Sequence, residues 1–224
     1  MNNSEKVKSR RKFIGQVLAG TAVGLSTLPV PFASKGAVPG ADNDDPDAWF
    51  KKAKGKHRIV YDAPEPNGAW SVIWSWVFYV TNNNTQTPDN DMTAMVVLRH
   101  NAIPFAMEDR LWQKYKLGEM FKITDNTTKA PATRNPYYTP GDGDFPFPGI
   151  DGIKRLQERG AMFCVCDMAL TVYSQLAAQG AGLDREEVKK DWVSGIHKDI
   201  QIVPSGVWAV GRAQEHGFAY CFAG

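Results

Sequence analysis

The chain has 224 residues, 43% of them hydrophobic and 22% charged, with 26 basic and 24 acidic side chains. That composition suits one globular domain with a sizeable core and excludes a low-complexity chain. Three cysteines, Cys164, Cys166 and Cys221, are too few for a disulfide scaffold, and their odd number leaves at least one thiol unpaired in a monomer.

Ser9-Arg10-Arg11-Lys12-Phe13-Ile14-Gly15 stands near the start, ahead of a weakly apolar stretch from Ile14 to Phe32 that closes on Pro29-Val30-Pro31. Paired arginines before such a stretch have the pattern of a twin-arginine export signal over residues 1–37, which carries an already folded domain to the periplasm. Cleavage is expected between Ala33 and Ala37. The stretch is too mild and too broken for a membrane span of about 20 strongly apolar residues, so membrane contact is expected only through the signal. Residues 1–37 hold Lys6, Lys8, Arg10, Arg11, Lys12 and Lys35 against Glu5 alone, leaving 20 basic and 23 acidic residues in the rest. The apparent basicity therefore belongs to the signal, and no nucleic-acid partner is expected. Residues 38–56, with Asp42-Asn43-Asp44-Asp45-Pro46 and Lys51-Lys52-Ala53-Lys54, read as a solvated leader.

Beyond the leader, strand and helix patterns alternate. His57 to Tyr61 is a short β-branched run closed by Asp62-Ala63-Pro64-Glu65-Pro66, and Gly68 to Val80 carries Trp70, Ile73, Trp74, Val77 and Phe78 at helical spacing. Met92 to Leu98 reads as a buried strand, and Ile103 to Met120 as one amphipathic helix. Lys122 to Gly149 contains five prolines and little periodicity; a loop this long in a compact domain suggests a lid, or an arm wrapped on a neighbouring subunit. Order resumes with a helix from Ile150 to Arg159, a strand from Ala161 to Cys166, and a helix from Met168 to Ala178 that Asp167 is placed to cap. Asp184 to Ile196 is helical with carboxylates at its positive end. Ile200 to Val203 is a strand, Pro204-Ser205-Gly206 turns into a helix ending at Gln214, and Phe218 to Phe222 is the last strand. The alternation predicts a three-layer α/β/α domain over residues 57–224 with a mostly parallel sheet of about five strands. No glycine-rich phosphate motif is present, so no nucleotide site is expected. Trp70, Trp74, Trp76 and Trp112, four of seven tryptophans, fall on two of the predicted helices and suggest a large aromatic core or an oligomer interface.

Ligands of open parallel sheets collect outside the carboxyl ends of the strands. Those ends carry Asp62, then Arg99, His100 and Asn101, then Cys166 and Asp167, then Ser205. Cys166 is the leading candidate, because a helix N-terminus beside a thiol favours the thiolate, which is both nucleophile and metal ligand. Strand alternation puts Cys164 on the same face, deeper in the sheet; a Cys164–Cys166 disulfide would buckle the strand, and Cys221 reads as structural. His100 is a candidate to orient or protonate a substrate. Cys164, Cys166 and Met168 form the alternative of a soft, sulfur-based copper site, although their directions converge poorly. Asp62, Arg99 and Ser205 also read as a turn former, a charge partner and a helix cap.

Three stretches, Val165-Cys166-Asp167-Met168-Ala169-Leu170, Ile202-Val203-Pro204-Ser205-Gly206-Val207 and Arg212-Ala213-Gln214-Glu215-His216-Gly217-Phe218-Ala219-Tyr220, resemble the DsrE-like family. The resemblance implies a three-layer α/β fold, assembly as a homo-oligomer (trimer or hexamer), and transfer of sulfur between proteins as a cysteine persulfide. It matches Cys166 to the sulfur-accepting cysteine. From the strand-end reading, His100 and Arg99 are expected to hold or polarise an anionic sulfur species, with Asn101, Asp62, Asp167 and Ser205 around the substrate. The chain departs from the family's cytoplasmic sulfur-relay members in its export signal and in the 122–149 insertion, and the sulfur donor and acceptor are not specified. Two other expectations stand beside this one: a non-catalytic protein binding copper or a small ligand on the same rim, and a structural subunit of a periplasmic complex.

Overall fold

The computed structural model describes residues 47–224; the expected export signal and the first part of the leader lie outside the described residues. Five strands form one all-parallel sheet: β1 (His57–Ala63), β2 (Met92–Leu98), β3 (Met162–Cys166), β4 (Ile200–Val203) and β5 (Ala219–Phe222), in the spatial order β4-β3-β2-β1-β5. Every residue of β2 is buried, which is why this strand reads as a continuous apolar run. The helices are α1 (Trp70–Asn84), α2 (Asp109–Tyr115), α3 (Leu117–Met120), α4 (Ile153–Arg159), α5 (Asp167–Ala181), α6 (Arg185–Ser194) and α7 (Gly206–Glu215). Together sheet and helices make the expected three-layer α/β fold.

The two faces differ in cover. Tyr61, Val96, Leu98, Phe163 and Val165 project into the larger core with Val72 and Ile73 of α1, Leu156 of α4, Leu170 of α5 and Trp192 of α6. Val60, Met95, Val97, Cys164 and Val203 project to the other face, under Ala209 and Ala213 of α7. The cause is connectivity. Steps β1 to β4 move one way along the sheet, whereas the β4–β5 step returns across all the intervening strands, so its helix must lie on the opposite face.

Within residues 47–56 of the expected solvated leader, Lys51, Lys52, Lys54 and Lys56 are exposed, but Phe50 is buried. A short 3₁₀ turn, Phe50–Lys52, buries Phe50 in the α7 core, where it stacks on His216 and meets Trp208 edge-on. The surrounding charges masked one aromatic anchor. The expected single helix from Ile103 to Met120 is corrected. His100–Ala106 is a 3₁₀ segment containing Pro104, and a left-handed Lys116 (φ 50°) separates α2 from α3. Proline lacks the N–H that an α-helix needs there, yet Ile103, Leu111, Trp112 and Leu117 still reach the core. By contrast α1 runs a turn further than its apolar pattern, and in that last turn Thr81 and Asn82 bond back to the carbonyls of Val77 and Phe78.

The 122–149 insertion, apart from a Thr124–Pro131 bridge, has no regular structure and folds back on its own domain. Asn135 donates to the carbonyls of Phe105 and Met107, and fully buried Asp144 accepts from Arg134 and from the Gly141 N–H. No described helix is long and apolar enough to cross a membrane.

Replacing Phe50 by Ala should lower unfolding free energy by about 3 kcal/mol, measured by urea denaturation; an unchanged midpoint would show the leader to be dispensable. A second outcome concerns pH. Partial burial pushes the Asp191 carboxyl up, but hydrogen bonds from Lys114, Tyr115 and Arg110 outweigh it and bring the pKa down to about 2. Because the folded value lies below the unfolded one, this stabilisation is present above about pH 4 and lost as pH falls toward 2. Asp191→Asn should therefore be less stable than wild type at pH 7, with the gap closing at pH 2.

Candidate functional site

All five strands end on one rim, and there the structure joins three of the sequence candidates. Asp62 is on β1, Arg99 follows β2, and Cys166 ends β3. The Arg99 N–H bonds to the Ala63 carbonyl at 3.0 Å, extending the β1–β2 ladder one step and setting Arg99 beside Asp62. Its guanidinium grips the Asp62 carboxylate twice, at 2.6 Å from Nε and 3.0 Å from Nη2. Asp62 is only 5% exposed, so this two-pronged bond is what makes its burial tolerable. The Tyr220 hydroxyl donates to Asp62 Oδ2 at 3.1 Å. The bonds to Asp62 raise the Arg99 pKa further above its ordinary value, and the nearby Cys166 sulfur adds to that preference for the cation.

Cys166 is itself the N-cap of α5: its Sγ accepts the Ala169 N–H at 3.3 Å. This replaces the expectation that Asp167 caps the helix. Asp167 is instead the first helical residue and pairs with Lys189 of α6 at 3.1 Å, tying two helices together. Capping also moves the Cys166 sulfur off its strand direction. It packs in the main core while Cys164 lies in the α7 core, so the two thiols do not share a face as alternation predicted. Burial pushes the Cys164 thiol well up, which leaves it neutral. All three cysteines are free, and among the described residues no three His, Cys, Asp or Glu side chains converge as a metal site. Met168 is half-buried against the main core.

Ser205 serves as the N-cap of α7, accepting the Trp208 N–H at 3.2 Å. The next residue explains why glycine stands there: a Cβ on Gly206 would sit 2.5 Å from Arg99 Cβ. The N-terminus of α7 thus rests directly on the arginine stem.

His100 and Asn101 form a neighbouring cluster. His100 takes a left-handed backbone (φ 49°), is 54% exposed, and lies 3.4 Å from Glu65. Asn101 donates to Glu65 at 2.8 Å and accepts from the Tyr173 hydroxyl at 2.7 Å, and that hydroxyl also lies 3.3 Å from His100 Nδ1. A cavity of about 820 Å³ opens beside this cluster, between the turn after β1 and the start of the insertion. Sequence reasoning missed Tyr220, Tyr173 and Glu65. Tyr173 sits seven residues after Cys166, two turns along one helix face, a usable signal. In the sequence Glu65 stands only in the turn that closes the first strand, and Tyr220 only at the end of the last DsrE-like stretch, with no site role assigned to either.

No family model matches the chain, and no curated protein matches it. A solved structure similar to it is a protein of unknown function from Methanobacterium thermoautotrophicum, 16% identical, with 74% of this chain and 98% of that one covered and a TM-score of 0.39.

Arg99→Leu should cost about 3 kcal/mol of stability by stranding the Asp62 carboxylate, and the double change Asp62→Leu with Arg99→Leu should recover most of that loss. Equal losses in the single and double variants would refute the dependence of Asp62 on its arginine.

Proposed function

We propose that Cys166 accepts sulfane sulfur as a persulfide and passes it on, in an exported protein of the DsrE-like kind. One observation carries this reading: the Cys166 sulfur receives the Ala169 N–H at the head of a 15-residue helix, and β3, which it ends, lies next to the strand that Arg99 follows. Helix N-termini and guanidinium groups both favour negative charge at such a position. The resemblance of the Val165–Leu170 and Ile202–Val207 stretches to DsrE-like motifs supports the same assignment.

The step is an exchange between sulfurs. The Cys166 thiolate attacks the outer sulfur of a donor persulfide or polysulfide. A new S–S bond forms on Cys166 as the donor's S–S bond breaks, and the donor leaves as a thiolate with the bonding pair. No external oxidant or reductant is needed. The Ala169 N–H and Arg99 hold the negative charge on the attacking thiolate and on the persulfide that follows. Exposure of only 6% at Cys166 favours a slim donor, such as linear inorganic polysulfide, over a folded protein. The Asp62–Arg99–Tyr220 network keeps the arginine in place rather than acting on sulfur. In this reading the Arg10-Arg11 signal delivers the folded domain to the periplasm.

After treatment with inorganic polysulfide, removal of excess and intact-mass analysis, wild type should gain about 32 Da per sulfur atom. Cys166→Ser should lose that adduct, while Cys164→Ser and Cys221→Ser keep it. An adduct that survives in Cys166→Ser, or none in wild type, would end the proposal.

A further inference from the structure

The 820 Å³ cavity beside His100 has two charged poles, and neither Cys166 nor Arg99 lines it. Glu65 and Asn101 line it on the β1 side, and Lys122 and Asn126 on the insertion side, with Phe121 and Ile123 supplying apolar wall. The Glu65 carboxylate is held in position: Asn101 Nδ2 donates to one oxygen at 2.8 Å, and His100 Nδ1 lies 3.4 Å from the other. Asn101 is in turn fixed by the Tyr173 hydroxyl at 2.7 Å. Even so, Glu65 keeps 47% of its side chain exposed, so further acceptor positions remain open. The Lys122 ammonium makes no ion pair or side-chain hydrogen bond among the described residues.

The backbone is committed to this shape as well. Asn67 and Lys122, which line the cavity, have φ of 37° and 54°, and Ala69 and His100, adjacent to lining residues, have 62° and 49°. Left-handed conformations at non-glycine residues cost free energy and gather where a binding surface requires them.

We propose that this cavity binds a small zwitterion of the amino-acid or dipeptide class. The ligand's ammonium meets Glu65, its carboxylate meets Lys122 and the second N–H of the Asn126 amide, whose first donates to the Asp144 carbonyl, and its apolar side chain lies against Phe121 and Ile123. A pure anion would face Glu65 without compensation, and a pure cation would face Lys122. A neutral polyol would leave both charges without a partner. Only a ligand carrying both signs satisfies the two poles together.

Isothermal titration calorimetry, run on wild type and again in a Cys166→Ser background, keeps this question separate from sulfur loading. The probes are L-leucine, L-leucyl-glycine, N-acetyl-leucine, leucine amide and glucose. Leucine or leucyl-glycine should bind, and each singly blocked analogue should bind at least tenfold more weakly. Glu65→Gln, which preserves shape, should weaken leucine about tenfold, a change of about 1.4 kcal/mol, and leave N-acetyl-leucine unaffected. Lys122→Gly, which suits the left-handed backbone at that position, should do the same for the carboxylate and leave leucine amide unaffected. The proposal is overturned if neither zwitterion binds at millimolar concentration. It is equally overturned if blocked analogues or glucose bind as well as leucine, or if both variants bind it as wild type does.

Discussion

Parallel strands cannot be joined by tight turns, because each must begin at the end of the sheet where its neighbour also begins. That constraint organises this molecule. It sends every connection across a face of the sheet and leaves all five carboxyl ends on one rim, so Asp62, Arg99, Cys166 and Ser205, separated by up to 143 positions along the chain, come to share one neighbourhood. The same constraint makes the faces unequal. Three successive crossovers fill one side with α1 to α6, while the return from β4 to β5 leaves, among the described residues, α7 and the Phe50 turn on the other.

The rim is organised by charge placed under different degrees of burial. At its centre, Asp62 is enclosed and answered by a bidentate arginine and a tyrosine hydroxyl. That arrangement leaves no unpaired ion in the core and fixes the Arg99 side chain in one place. Alongside, Glu65, His100, Asn101 and Tyr173 form a more open network, with short bonds on the protein side and free acceptor positions toward the cavity. Enclosed charge suits electrostatic support of a reacting sulfur, and exposed charge suits recognition of a passing ligand. The two roles proposed for the rim follow from that difference.

The long insertion and the leader show how polar sequences can be anchored by a few contacts. Asn135 fastens the insertion to the body of the domain through bonds to the carbonyls of Phe105 and Met107, while Asp144 ties the insertion to itself through Arg134 and the Gly141 N–H. Phe50 fastens the leader through aromatic packing. A composition-based reading averages over such residues and reports the polar majority. The break at Lys116 escaped notice for a related reason. Apolar spacing over Ile103 to Met120 records which side chains are buried, and two short helices after a 3₁₀ turn bury the same ones.

What the chain determined by itself was the order of strands and helices, the parallel character of the sheet and the group of residues at the strand ends, because periodicity and crossover length are local quantities. Met92–Leu98 and Ile200–Val203 were legible to the residue. Which rim residues pair, and which only cap helices, was decided in three dimensions. Asp62 meets Arg99, Cys166 rather than Asp167 caps α5, and Gly206 makes room for the arginine stem. Those outcomes depend on distances between segments far apart in the chain, and such distances exist only once the sheet has closed and its helices have packed against it.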